Sequence, residues 1–512
     1  MWKTYRVLVL VVMLDLTACG PSHPMRTEGH PTAVPASSAP DAALANQQLA
    51  DAKKLVADKN WPEAIKALQG IIEANSFSRL SGDLQHEVLL AAGEAALYHG
   101  SSKLAYDYFV RATSLPKADF ADWIGRLSAA DKVGNTADSV STLTVLVQRW
   151  PDRTIQFRPR YILNVIHEAK QSGRDSALPL LQGLYDAHWK LKWDIEPSAA
   201  WRDLILRLVE KRRLAQAIDV SAHVTDVYVL ISMRADRRFD AVVAANAVHF
   251  DIEEAAKESL RAFQAAAEHA PQSLELQIDV IESLLSQQRY EAALAACDSV
   301  LFSIRSTNYP AKLYTDYDEF YNWILDERSD LLERVGRWDE AVAQLTAASN
   351  LLEDQAGNVS QLINLAHIYC DLDRPKEALE AIGRITAKPS PYGTMQLEKV
   401  RLNAASQLGD SSQVARSMQY LEIHRADLPD AYEDALIYVN QLDRAAKLLL
   451  ERLRDKNQRT QALADVQTYA APLRTPRQVE YNARWRTVLA RKDVQAAIQQ
   501  VGRAEQYKLE ER

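Results

Sequence analysis

Residues 362–391, LINLAHIYCDLDRPKEALEAIGRITAKPSP, carry the pattern that decides the fold. Leu362, Leu365, Ala366 and Tyr369 recur at three- and four-residue spacing, which lays one apolar stripe along a helix. The polar break Asp371-Leu372-Asp373-Arg374-Pro375 ends that stripe, and Ala378, Ile382 and Ile385 begin a second. Pro389 and Pro391 close the second helix, because proline lacks an N–H and its ring clashes with the preceding turn. Small residues let the paired helices approach closely, and larger ones fill the space between them. Two helices joined by a tight turn explain this order.

The same order recurs. Ala52, Leu55, Trp61, Ala64, Leu68 and Ile71 make one copy; Gly93, Ala105, Phe109, Ala112 and Pro116 another. Leu284, Tyr290, Ala293, Cys297 and Val300 make a third, and Leu332, Gly336, Trp338, Ala341, Leu345 and Ala348 a fourth. Weaker copies centre on Ala177, Ala217, Ala241, Val414 and Ala445. The series resembles the tetratricopeptide repeat, a helix-turn-helix unit of about 34 residues. That resemblance implies an all-α, right-handed α-α superhelix. The central small residues are unevenly spaced, so the repeats are degenerate, with inserted helices or lost turns in the middle of the chain. A non-repeating α-bundle with Ala-rich interfaces would give a similar pattern.

Composition agrees with helices. The 512 residues include only 16 Gly, about 3% against a usual ~7%, while Ala, Leu, Gln, Glu, Lys and Arg are plentiful, and these lose least on entering a helix. Hydrophobic residues at 47% supply a large core, and three Cys are too few to be a framework. Lys and Arg number 60 against 68 Asp and Glu, a formal charge of −8, the wrong sign for neutralising phosphates along a nucleic acid. Val224 to Ile231 is β-branched enough for a strand, but no second strand is available to pair with it.

At the N-terminus, Lys3 and Arg6 precede the apolar run Val7 to Leu14 and then Leu16-Thr17-Ala18-Cys19. The run is too short to span a bilayer. Basic start, apolar run and box together resemble a bacterial lipoprotein signal, which implies cleavage before Cys19 and acylation of that residue. An ordinary secretory signal with an incidental Cys is the alternative. Gly20 and Pro21 follow, with no Asp after the Cys, and in such lipoproteins this implies sorting to the outer membrane, periplasmic face. Pro21 to Ala43 has five prolines and no apolar periodicity, as a disordered tether would. The expected organisation is a signal peptide over 1–18, a tether over 19–43, an N-terminal degenerate helical-repeat array over 44–271 and a C-terminal tetratricopeptide-like array over 272–512. Gln478 to Arg512, apolar on one face and polar elsewhere, would cap the end of the second array.

Catalytic signals are sparse. There is no Gly-rich phosphate loop and no G-x-S-x-G elbow. His86-Glu87 and His167-Glu168 begin like a zinc helix, but Leu90 and Gln171 stand where the second ligand belongs, so these read as half-exposed helix residues. No metal, no cofactor and no catalytic residue is expected. Cys297 and Cys370 read as buried free thiols. Lys399 and Asn403 resemble half of a carboxylate clamp known in the repeat family, but Asp427 and Ala431 occupy the places of its partners.

What remains is surface suited to protein partners. In the family, the first helix of each unit lines a concave groove. Here that implies Glu275, Ile278 and Glu282, then Trp323, Asp326 and Asp330, then Ile363, His367 and Asp371, an acidic face for a basic or amphipathic segment. The same charges would also suit a solvated helix face, and the aromatics a core. The expected function is a membrane-anchored periplasmic scaffold or adaptor for other envelope proteins, not an enzyme. The alternative is a cell-wall glycan-active enzyme, or a glycan- or peptide-binding module on the same solenoid, with peptidoglycan as ligand and the aromatics Tyr309 to Trp323 as the stacking surface.

Overall fold

The computed structural model describes residues 39–171, 177–353, 357–470 and 474–510. Contacts divide them into two compact units that part between Lys211 and Arg212. Each is an all-α, right-handed helical solenoid of paired helices resembling a degenerate tetratricopeptide array. The lipoprotein box with Cys19, and the tether as far as residue 38, lie outside the described residues.

The first unit runs α1 (Ala39–Ala57), α2 (Trp61–Glu73), α3 (Gly82–His99), α4 (Ser102–Thr113), α5 (Phe120–Lys132), α6 (Thr136–Arg149), α7 (Pro151–Thr154), α8 (Pro159–Gln171), α9 (Ala177–Asp186) and α10 (Ser198–Glu210). Helix begins at Ala39, so the last five residues expected to be tether are helical. Each of the helices from α1 to α6 packs on the next, and Phe109 shows how closely. Its ring is 1% exposed and fills the notch left by two glycines: a Cβ on Gly93 would stand 3.0 Å from it and one on Gly125 2.2 Å.

The second unit begins with α11 (Leu214–Ser221), α12 (Val227–Ala235), α13 (Asp240–Ala245) and α14 (Ile252–His269). The β-branched stretch is helical in α12, where Asp226 caps the first turn by accepting from Val229 N. The amphipathic α14, which lacks an obvious partner in the sequence, packs between α12 and α15 (Leu274–Ser286). Pairs follow: α15 with α16 (Tyr290–Arg305), then, after the short α17 (Pro310–Leu313), α18 (Tyr317–Arg334) with α19 (Trp338–Ser349), and α20 (Ser360–Asp371) with α21 (Pro375–Gly383). Next come α22 (Pro391–Leu408) with α23 (Ser411–Ile423), α24 (Pro429–Tyr438) with α25 (Leu442–Arg454), and α26 (Arg459–Asp465). Ala378, expected at a helix–helix contact, is fully buried. Cys297 and Cys370 are buried thiols that form no disulfide, and Cys297 Sγ donates to Ile324 O.

One turn recurs through both units. The N–H at the head of the second helix reaches the carbonyl five residues back: Asn60 to Leu55, Ser101 to Ala96, Asn135 to Ala130, Arg289 to Leu284, Arg337 to Leu332, Arg374 to Tyr369, Asp410 to Ala405 and Gln441 to Leu436, all at 2.8–2.9 Å. The intervening residue is left-handed, and at four of these eight turns it is Lys59, Gln288, Asp373 or Asn440 rather than Gly.

The C-terminal segment does more than cap. After β1 (Thr468–Ala470), helices α27 (Pro476–Leu489) and α28 (Lys492–Val501) cover α25, as end helices would, but α27 also reaches α20 and α24. The expected helical cap ends instead in strand β2 (Gln506–Glu510), parallel to β1 and lying against α15. The start of the unit meets its end. Arg503 N donates to Ala235 O at 2.9 Å, Asp236 bridges to Gly502, and the buried Asp236 carboxylate takes Arg238 and Thr460. Among the described residues no helix is long and apolar enough to cross a membrane.

Candidate functional site

Helix α18 repeats acidic residues on one side, and its neighbours decide their state. Asp326 is 5% exposed and accepts from Asn364 Nδ2 of α20 at 3.2 and 3.1 Å. Beside it, Asn322 donates to Gln361 Oε1, so a polar seam joins the two helices. Asp330 lies one turn on, followed by Glu333. Burial, then the charges of Asp330, Asp371 and Asp326, push the Glu333 carboxyl well above its ordinary value, with Arg334 opposing. Four carboxylates thus share one wall. Burial raises Asp371 to about 6, against the Gln478 amide bond and the Lys399 charge. Burial and Lys399 hold the His367 imidazole well below its usual range, so it is neutral at pH 7.

The other predicted residues are placed differently. Glu275 and Glu282 are half-buried on α15, and Asp316 caps that helix by accepting from Leu274 N at 2.7 Å and Glu275 N at 3.2 Å. Trp323, expected at the centre of the groove, packs against the hydrophobic core. Of the aromatic cluster, Tyr314 and Phe320 are buried, Tyr317 and Tyr321 stack on each other, and Tyr309 stands on the surface. Lys399 is 2% exposed and bound to Asp434 at 2.8 Å, while Asn403 accepts from Gln407, so the half-clamp is otherwise engaged. His86 is buried, its Nε2 2.8 Å from the buried Asp122, where a half-exposed residue was expected. Among the described residues no group of three His, Cys, Asp or Glu could hold a metal ion.

The chain's own C-terminal segment lies along this acidic wall. Glu510, 1% exposed, takes hydrogen bonds from Arg334 Nε and the Tyr290 hydroxyl, and its backbone carbonyl accepts from Tyr228 at 2.8 Å. From α27, Gln478 donates to Asp371 at 2.8 Å, Arg477 to Asp373 at 2.6 Å and Tyr481 to Asp434 at 2.5 Å. Glu333 and Arg334 continue the 323-326-330 stripe and could have been read from it. Glu510 could not, since 176 residues separate it from Arg334.

No family model matches the chain, and no curated protein matches it. Solved structures similar to it include yeast Tom70, with 12% identity over 90% of this chain and 99% of that one and a TM-score of 0.33. A Rap protein complexed with competence and sporulation factor is 15% identical over 87% of this chain and 99% of its own, with a TM-score of 0.28. A chain of the APC/C hetero-tetramer Cut9-Hcn1 gives 11%, 89%, 80% and 0.30 in the same order. These likenesses concern helical-array architecture alone.

Proposed function

We propose that the chain is a helical-repeat scaffold whose second unit holds a basic or amphipathic segment of another protein on its acidic inner wall. The observation that carries this reading is the convergence of Asp326, Asp330, Glu333 and Asp371, where the neighbouring charges add to burial in raising the Glu333 carboxyl. Arg334, in their midst, is shared between the Glu510 carboxylate and the charge of Asp330, and the acidic residues along the wall outnumber it, which favours approach of a positive partner. The glycan reading gains nothing from the Tyr309 to Trp323 aromatics, most of which pack inward or on one another.

A labelled Lys/Leu amphipathic peptide tests this by fluorescence anisotropy. Asp330→Asn is expected to weaken binding about tenfold at low salt, and the difference should shrink above ~0.5 M, where exposed charges are screened within a few ångströms. Equal binding by parent and variant at low salt would remove the wall as the site. Trp323→Ala belongs to a different test, since its packing makes a folding defect the expected outcome.

The location belongs to the same proposal: a lipid on Cys19 would hold the scaffold at the periplasmic face of the outer membrane. Support comes from the coincidence of basic start, apolar run and box in residues 1–19. Labelling of the cells with a palmitate analogue should mark the parent and not Cys19→Ala. Label retained in the variant would dismiss the anchor.

A further inference from the structure

The acidic wall leads, at its C-terminal end, into a cavity of about 260 Å3 between α24, the end of α26, β1 and α27. Two kinds of side chain line it. Tyr438, Tyr469, Tyr481 and Trp485 supply aromatic surface, with Tyr438 and Tyr481 packed 5.2 Å apart. Asp371, Asp430, Glu433, Asp434 and Asp465 supply charge.

Arg452, 2% exposed, reaches Asp430 Oδ1 at 2.7 Å, Glu433 Oε2 at 2.5 Å and Asp465 Oδ2 at 2.5 Å, one guanidinium against three carboxylates. Lys399 matches Asp434, and the bond to Asp371 comes from a neutral amide. Arg474 and Arg486 also line the cavity, and the Arg334 charge reaches Asp371 as well. Glu433 is 5% exposed, and its second oxygen, Oε1, is buried without a hydrogen bond. A buried oxygen of this kind is costly to leave unmet.

We propose that the cavity receives an alkylammonium group, either the end of a lysine side chain or a small diamine. An ammonium brings one positive charge and up to three donors, which suits a cavity rich in carboxyls whose Glu433 Oε1 is an unmet acceptor once that group is ionised. Its methylene stem suits the aromatic walls, whose faces attract cations in a desolvated setting. The lysine source rests on the scaffold reading above; the diamine source does not.

Proton linkage supports the geometry. Burial raises Asp371 to about 6, Asp465 to about 7 and Glu433 to about 8, the last two also under the charge of Asp430. Arg452 lowers both of those, and burial pushes the Tyr438 and Tyr481 phenols well up, so neither tyrosine contributes a charge at neutral pH. An entering cation would draw protons off the three carboxyls. Its binding should therefore release protons and tighten as pH rises from 6 to 8.

Calorimetry on the full chain with cadaverine, Nα-acetyl-lysine amide and its ε-acetylated form tests this, in two buffers of different ionisation enthalpy. Both amines should bind, about tenfold more tightly at pH 8 than at pH 6 and with net proton release, and the acetylated form should not. Trp485→Leu and the more conservative Glu433→Gln, which keeps an acceptor for Arg452, should each weaken both amines about tenfold with the helical spectrum intact. Silence from both amines, or equal binding of the acetylated form, overturns the proposal. So does unchanged affinity in a folded Glu433→Gln. Cadaverine matching the lysine amide would point to free diamines, and a lysine peptide binding far more tightly would point to a protein segment. Amine binding without any Asp330-dependent peptide binding would leave the cavity standing and end the scaffold reading; the reverse result would do the opposite.

Discussion

Replacing Arg452 with Met should lower the stability of the second unit by about 3–5 kcal/mol at pH 8. The side chain is 2% exposed on α25 and is the common partner of Asp430 and Glu433 from α24 and Asp465 from α26. Methionine fills much of the same volume, so packing is a minor part of the change. The major part is Glu433 and Asp465 left in a dry setting, with the half-buried Asp430 beside them, without their cation. Their response to pH identifies the cause. Asp465 and Glu433 already have raised pKa values, about 7 and about 8. A carboxyl whose folded value is raised contributes stability that is full below its unfolded value, near ~4, and is lost as pH climbs through the folded value. The parent should therefore lose stability between pH 5 and pH 8, and the variant, with values raised further, should lose it more steeply. Urea unfolding followed by circular dichroism at both pH values checks this. The deficit at pH 5 should be under half of that at pH 8. An equal deficit at the two would mean that Arg452 acts by packing.

The helix pairs were legible because their chemistry is local. Leu362 to Ile382 contains its stripes and its break, and Ala378 is fully buried as its place in the pattern requires, although the second helix stops at Gly383, short of Pro389, and Pro391 begins the next helix. The period was harder to read. Four of the eight matching turns place Lys59, Gln288, Asp373 and Asn440 in the left-handed region, where a glycine would have announced the turn. Local reading also placed Trp323, Asp326 and Asp330 on one helix side, but it did not show that Trp323 is half-buried against the core. Stripe position tells which side of a helix a residue occupies; it does not tell how deep the neighbouring helix sits. The closure of the second unit was out of reach for another reason. Glu510 meets Arg334, Asp236 meets Thr460 and Gln288 meets Lys508 across 176, 224 and 220 residues, and no periodicity connects such positions.

Gly502→Val should open that closure. The glycine has an extended backbone, so its φ is not what demands it; space is. An added Cβ would stand 2.2 Å from the Ala235 carbonyl oxygen and 2.6 Å from Leu463 Cδ1. Leucine can change rotamer, but a backbone oxygen that also accepts from Arg503 N cannot move without breaking that bond. Overpacking ordinarily costs ~1–3 kcal/mol, and here the cheaper escape is for the end of the chain to let go. With the Asp236–Gly502 bridge gone, the Arg234–Glu505 pair, the β1–β2 pairing and the Glu510 contacts with Arg334 and Tyr290 lose the anchor that holds them in register. Limited trypsin digestion reads the result through two sites in the released segment, Arg503 and Lys508. Both should be cut early in Gly502→Val, more slowly in Gly502→Ala, and last in the parent. Gly70→Ala is the control, because a Cβ there meets nothing within 4 Å and alanine favours its helix. Trypsin cutting Gly502→Val no faster than the parent would show that the junction yields elsewhere and that Gly502 does not fasten the two ends.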